Sequence, residues 1–556
     1  MSDLPALFLA ADAIDTGSQR LMGRQSAGSG FLRGFVAAYR AHSVRPLDVI
    51  CPGTNDSKFV ASALERAGWP HPVRLLPADR PAAWGDLGVL YYPAPFSDSL
   101  GWQRSRQPGG TASFALCGIT HTISSDAVMR QLAGYVAGPF ASHDAVICTS
   151  RSVLQAVEGI WQAQIDHLTR RLGVKVSPAL PMLPVIPLGV HASDFAPDAA
   201  ARTTARQRHG FADDDVVVLF VGRLSLHAKA NPLAMYLACA RAAAASGRRI
   251  RVLECGWFAN DAIRQSFDEA ASVAGIQVDR VDGREPGVTR ASYLAADIFV
   301  SLSDNIQETF GLTPVEAMAA GLPVVVSDWD GYRETVRDGE EGLLIPTRQP
   351  SDPACASVLI EGYQDGRLNY DRYVAYAHTL VAVDLEACAA AIARLAADPA
   401  LRRRLGDNGR QRVHEHFDWS RVLPQYQALW REQRERLLRH RTEAERSVSG
   451  ISEPGMPNPL TMFAHYPSAA LTGQSRLHRD TAKGPSPRML RDLSMWRFAE
   501  GWLLDAAAVE AAWFAAPTLP GEAIELDQWA ANLKLDSAQA QRLAAWMAKV
   551  GLIVVR

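Results

Sequence analysis

Residues 301–346 read SLSDNIQETFGLTPVEAMAAGLPVVVSDWDGYRETVRDGEEGLLIP, and this stretch decides the fold. Glu308 and Glu316 stand in it with seven residues between them. Glu308 falls in a loop beside Phe310-Gly311. In Thr313-Pro314-Val315-Glu316 the threonine is a candidate N-cap, with proline at the first helical position and glutamate at the third. Gly321 supplies the stop, and residues 322–326 read as a short buried strand. A helix N-terminus, a loop and two carboxylates are therefore expected around one small volume. Such a volume suits a ligand with phosphates and many hydroxyls, as in a nucleotide-sugar. Each glutamate also has a plainer reading: Glu316 completes a capping box, and Glu308 is a solvated loop acid.

Working outward, strand-length apolar runs at 6–10, 47–51, 89–92, 115–119 and 145–149 alternate with helix-length segments. That alternation predicts a mostly parallel α/β sheet. The pattern ends in the turn Leu188-Gly189-Val190-His191, and a polar connection follows to about Gly210. A second set begins at 216–222 and continues through 251–255, 298–302 and 324–327. The expected fold class is α/β, two Rossmann-like doubly wound domains facing a cleft, over 1–205 and 206–415. Phe417-Asp418-Trp419-Ser420 opens a long charged helix, assigned as a closing element over 416–445. Pro454, Pro457, Pro459, Pro467, Pro485 and Pro487, mixed with Gly and Ser, mark 446–488 as a linker. Beyond it, 496–515, 526–533 and 537–550 read as helices and 552–555 as a strand. Residues 489–556 are thus expected to form a small, mainly helical, winged-helix-like module.

Composition bounds the function. The 556 residues are 48% hydrophobic and 21% charged, with a formal net charge of −2, which gives no reason to expect nucleic-acid binding. Within 522–556, Glu522, Glu525, Asp527 and Asp536 balance Lys534, Arg542, Lys549 and Arg556, so the module lacks the cationic face that DNA requires. Trp496, Trp502, Trp513, Trp529 and Trp546 point instead to a protein partner, self-association or a small aromatic core. The seven cysteines form no C-x-x-C pair, which reads as free thiols in a reducing compartment. The N-terminus lacks a basic leader and no 18-residue apolar run occurs, so a cytoplasmic protein is expected.

The central stretch resembles the donor-site segment of the retaining, GT-B-fold glycosyltransferases of family four, the group 1 glycosyl transferases. Their signature is E-x7-E, a small-residue helix, a G-x-P-V-V strand and an E-x-V-x-D-G-x-x-G-x-L segment. Here these are Glu308/Glu316, Gly321-Leu322-Pro323-Val324-Val325, and Glu334 through Leu344. The resemblance covers about residues 1–430 and implies transfer of a hexose from a nucleoside-diphosphate sugar, with UDP favoured, to a glycan, lipid-linked or small-molecule hydroxyl. It implies retention of anomeric configuration, no cofactor and no metal. A lipid-linked acceptor would entail peripheral membrane contact. The other readings are a phosphorylase or epimerase on the same fold, and a degenerate sensor or regulator acting through the C-terminal module.

The resemblance also implies roles for single residues. Arg223, after Val221-Gly222, and Lys229 would grip the diphosphate, against a plain reading as loop cations. Lys229 comes one residue later than is common, with His227 between. Glu308 would bind hydroxyls of the hexose, helped by the N–H groups of Phe310, Gly311 and Leu312, and Glu316 would hold the ribose. His121, in Gly118-Ile119-Thr120-His121-Thr122, would hydrogen-bond the donor sugar. Ser26-Ala27-Gly28-Ser29-Gly30-Phe31 precedes a helical run, and Gly28 and Gly30 are read as a glycine-rich approach to phosphate or acceptor, or as a helix-entry turn. The Asn-Gly-x-Asp turn of the family is replaced here by Leu188-Gly189-Val190-His191.

Overall fold

The computed structural model describes residues 4–15, 23–41, 45–444 and 453–556. The chain divides into two units, with the boundary between Ser452 and Glu453.

The first unit is built on two parallel six-stranded sheets. One contains β1 Ala6–Phe8, β2 Leu47–Cys51, β3 Val73–Pro77, β4 Val89–Tyr91, β5 Ala115–Ile119 and β6 Ala145–Ile147, in the order β3-β2-β1-β4-β5-β6. The other contains β7 Val216–Val221, β8 Ile250–Gly256, β9 Val278–Asp282, β10 Ile298–Ser301, β11 Val324–Ser327 and β12 Gly342–Ile345, in the order β12-β11-β10-β7-β8-β9. Both have the doubly wound topology, with the strand order reversing between β1 and β4 in one sheet and between β7 and β10 in the other. Leu7 pairs with Val49 and Tyr91, and Phe299 pairs with Leu219 and Val324, which fixes the register at both reversals.

Covered by helices on both faces, the inner strands are nearly continuous apolar runs, which is why they are legible in the sequence. β3 and β9 are not. VRLLP exposes three of its five residues and VDRVD has three charged residues of five, so neither resembles a buried strand.

The π-helical turn Val413–Phe417 is followed by the helix Trp419–Ala444, which packs on the first sheet. Gln433 Nε2 donates to the carbonyls of Leu116 (2.9 Å) and His143 (3.0 Å), and Arg441 pairs with Asp86 at 3.0 Å. Trp419 is seated where three glycines make room: a Cβ on Gly30, Gly34 or Gly189 would come within 3.1 Å of its indole. The unusual turn is anchored at the same place. Val190 exchanges backbone hydrogen bonds with Phe417 and Trp419, and His191 Nε2 donates to the Gly30 carbonyl at 3.0 Å.

In the second unit, Arg476–Arg479 is the central strand of a three-stranded antiparallel sheet, flanked by Ile524–Glu525 and Ile553–Val555. The expected linker over 446–488 therefore contains the middle of a sheet. Its strand, RLHR, buries only Leu477 and His478, too short a signal to stand out among the prolines. The linker's first residues, 446–452, lie outside the described residues. The expected helix over 496–515 is a 3₁₀ segment, Ser494–Ala499, and a separate helix, Ala506–Ala515. Trp529 and Trp546 are buried with Leu477, Leu526, Leu543 and Met547, while Trp502 is 64% exposed. Six cysteines are buried and Cys355 is exposed. No helix among the described residues is long and apolar enough to cross a membrane.

Candidate functional site

The C-terminal ends of the two sheets border a cavity of about 370 Å³, within the usual range for a small-molecule site. Gly222 and Arg223 enter it after β7, Gly256 and Trp257 after β8, Gly283 and Arg284 after β9, and residues 307–313 with Glu316 after β10. The first sheet adds His121 and Thr122 after β5. Both contributions come from carboxyl ends near a reversal of strand order, where doubly wound sheets bind ligands.

Gly222, Arg223, Lys229, Glu308, Phe310, Gly311, Leu312, Glu316 and His121 all line this one cavity. Gly28 and Gly30 do not. They lie inside the helix Gly23–Tyr39, and neither forms a phosphate-binding loop ahead of it. A Cβ on Gly28 would sit 2.1 Å from the Ala13 carbonyl oxygen, so this glycine serves close packing of two backbones.

The helix carrying Glu316 runs Leu312–Ala319, starting two residues before the expected proline. Its N-cap is Gly311 at φ +92°, with no side-chain capping bond, so Thr313 is not the cap. Glycine is required there twice over, because a Cβ would also lie 2.1 Å from the ring of Tyr332. The capping-box reading of Glu316 falls with that start. Its Oε2 instead accepts from the buried Tyr293 hydroxyl at 2.8 Å. Burial pushes the Glu316 carboxyl up, and the Tyr293 bond partly offsets this.

Glu308 is tied down differently. Lys229 Nζ lies 3.5 Å from its Oε2, and its Oε1 accepts from the N–H groups of Thr309 (3.2 Å) and Phe310 (3.4 Å). The Phe310 N–H thus faces Glu308, not open solvent. Burial alone would raise this carboxyl, but Lys229 and the two N–H groups outweigh it, and the net shift is downward. The Arg223 guanidinium makes no hydrogen bond or ion pair among the described residues. His121 Nε2 lies 2.9 Å from the Pro93 carbonyl oxygen. A carbonyl only accepts, so Nε2 carries the hydrogen and Nδ1 is an acceptor in the neutral ring. Burial lowers the His121 pKa, which favours that neutral form.

Several lining residues escape the sequence reading. Trp257 and Arg284, whose guanidinium lies 5.6 Å from the indole, follow strands β8 and β9. The pair Gly256-Trp257 at the end of an apolar run was the available signal for the first. Nothing local marked the second, because β9 was hidden.

Asp330 is a further, partly buried acid, at φ +44°, accepting from the Ser150 hydroxyl at 3.2 Å. Burial first, then the charge of Glu308, push its carboxyl from 3.8 to about 7. With the folded value above the unfolded one, its contribution to stability is full below about pH 4. It falls away as pH rises to about 7. Asp330→Asn keeps the acceptor for Ser150 and tolerates the positive φ. The variant is expected to melt about 2–4 °C higher than the parent at pH 8, with the gain vanishing near pH 4. Equal shifts at both pH values would contradict this assignment.

Residues 201–366 match the family model described as glycosyl transferases group 1. A D-inositol 3-phosphate glycosyltransferase of Geodermatophilus obscurus is 36% identical over 178 residues, 31% of this chain and 38% of that protein. One from Nocardia farcinica is 32% identical over 190 residues, 33% of this chain and 40% of its own length. The chain thus spans about two fifths of the length of these curated relatives. Among solved structures, sucrose-phosphate synthase from Thermosynechococcus elongatus aligns over 77% of this chain and 98% of its own at 22% identity, with a TM-score of 0.49.

Proposed function

We propose, from the match of residues 201–366 to the group 1 glycosyl transferase model, that the chain moves a hexose from a nucleoside-diphosphate sugar to an acceptor hydroxyl. The observation that carries this reading is the unpaired Arg223 guanidinium in the same cavity as the two glutamates of the E-x7-E motif. An unpaired cation near the cleft supports a diphosphate there, with Lys229 beside it. Glu316, held by the Tyr293 hydroxyl, would accept from two neighbouring hydroxyls of a ribose. The ring of Trp257 offers a face on which a base can stack, and UDP is the favoured carrier.

The transfer we propose retains anomeric configuration. The bond from the anomeric carbon to the diphosphate breaks, and the acceptor oxygen bonds to that carbon on the same face. The acceptor proton passes to the departing phosphate oxygen. Glu308, already held as a carboxylate by Lys229 and two N–H groups, is a weak base and serves to bind hexose hydroxyls. His121 accepts a sugar hydroxyl at Nδ1. Residues of the chain thus bind and stabilise charge, and none removes the proton. The acceptor enters from the first sheet, where a second cavity of about 170 Å³ adjoins His121 and is lined by Phe8, Phe31, Tyr91, Tyr92 and Trp419. Proton NMR of the first product formed, before mutarotation or further reaction, tests the stereochemistry. A product of the donor's own anomeric configuration is expected, and an inverted anomer would refute retention.

A further inference from the structure

Between the paired segments Thr347–Arg348 and Ala382–Val383 the chain leaves the second sheet as a helical hairpin, residues 349–381. It contains the helices Ser357–Gln364 and Tyr370–His378. The segment matching the family model ends at residue 366, between these two helices. The hairpin is held to its own domain by the closing strand pair and by His378, whose Nδ1 lies 3.6 Å from the buried Asp304. Its other end reaches the first domain. The Tyr363 oxygen accepts from the N–H of Asp126 at 2.9 Å, a donor in the first turn of a helix with no intrahelical partner. The Tyr370 hydroxyl shares hydrogen bonds with Ser124 (3.0 Å) and Thr122 (3.4 Å). These residues belong to the segment that carries His121, and Thr122 itself lines the donor cavity. On the donor side, the carboxylate of Asp371, the residue after Tyr370, acts electrostatically on Arg223.

Domains joined across a cleft by few polar contacts move relative to one another unless something holds them. Among the described residues, further side-chain hydrogen bonds across this side of the cleft run from Thr149 to the Thr309 carbonyl at 3.4 Å, from Ser150 to Asp330 at 3.2 Å, and from the Arg151 N–H to Glu334. They lie just after β6, where the Thr149 N–H also donates to Thr120 Oγ1 at 3.2 Å. We propose that hairpin 349–381 is a strap across the cleft, and that Tyr363 and Tyr370 are positioning residues whose hydroxyls clasp the His121 segment against the donor domain. The strap sets how often the cleft opens, and hence how fast a bound nucleotide leaves. Its effect on turnover rests on the donor-site reading above, but its effect on cleft opening does not.

The test uses the full chain in a Cys355→Ser background, because Cys355 is the exposed thiol and lies in the hairpin. Spin labels go on the exposed positions Glu158 and Ser272, one in each domain, as Glu158→Cys and Ser272→Cys. Tyr363→Phe with Tyr370→Phe removes both hydroxyls and keeps both rings. The label-to-label distance distribution is expected to lengthen and broaden without any ligand. Tyr373→Phe, whose ring stacks on Tyr363 at 4.5 Å inside the hairpin, should leave it unchanged. In stopped flow, UDP is expected to leave the double variant roughly tenfold faster or more, since the two hydroxyls make three neutral hydrogen bonds. The donor KM should rise while kcat is maintained or increased. An unchanged distance distribution would overturn the strap whatever the kinetics. Should the parent bind no UDP, GDP or ADP, the donor-site reading fails, and the distance measurement still decides the strap. If the double variant does not fold, Ser124→Ala tests the same clasp from the other side.

Discussion

Arg223→Ala is expected to weaken binding of the nucleoside diphosphate by roughly a hundredfold, the effect of about 3 kcal/mol. The guanidinium is half-buried at the end of β7, makes no hydrogen bond or ion pair among the described residues, and feels only the longer-range charge of Asp371, so most of its favourable electrostatics await the ligand. Burial lowers its pKa, though an arginine stays charged at neutral pH. Truncation removes the cation without leaving a buried carboxylate unpaired, so the fold should lose little. The two effects separate cleanly: calorimetric titration should show the loss of affinity, while the melting temperature of the unliganded protein stays within a degree or two of the parent. A variant that binds as tightly as the parent would make Arg223 an ordinary loop cation. Arg223→Lys should restore only part of the affinity, since an ammonium cannot present a planar fork to two phosphate oxygens.

Glu308→Gln is expected to act on turnover instead of nucleotide affinity. The carboxylate accepts two backbone N–H groups and faces Lys229 at 3.5 Å. Glutamine keeps one oxygen acceptor but loses the charge, so Lys229 is left without its counterion and the hexose hydroxyls lose a charged acceptor. Charged hydrogen bonds of this kind contribute about 1.5–3 kcal/mol, so kcat/KM with the intact donor should fall by roughly 10–150-fold. Binding of the diphosphate without its sugar should change by less than about threefold, because Glu308 is assigned to the hexose. A rate that rises with pH through a group of neutral pKa, and is abolished in this variant, would instead make Glu308 a proton-transfer base.

How much of this was legible in the sequence depends on the range of the interaction that shapes each part. The inner strands are buried on both faces, and their own apolar runs record it. The donor segment is likewise local: the loop, helix and strand over 301–346 all lie within one stretch. The error of two residues at the helix start has a local cause as well. Thr-Pro-x-Glu is a good N-terminal signal, but Gly311 takes the cap because Tyr332 leaves no room for a Cβ.

Gly28 and Gly30 stand outside the donor cavity for a different reason, although Gly28 lines the second cavity beside His121. A G-x-G before a helical run suggests a phosphate loop, yet these glycines accommodate the Ala13 backbone and the Trp419 indole, and Trp419 is hundreds of residues away. The same holds for the hairpin. Its tyrosines carry no motif, and only the fold brings Tyr370 to Ser124. Strands β3 and β9, edge strands with charged or exposed positions, were hidden by their composition, and Arg284 was hidden with β9.

The most direct measurement of the central claim is calorimetric titration of the full chain with UDP, GDP and ADP, repeated on Glu316→Ala and Arg223→Ala. The account predicts that one nucleotide, UDP on the present reading, binds with one-to-one stoichiometry, and that both substitutions weaken it by tenfold or more. Binding of none of the three by the folded parent, or binding that both variants retain in full, would contradict a donor site built on Arg223 and the Glu308/Glu316 pair.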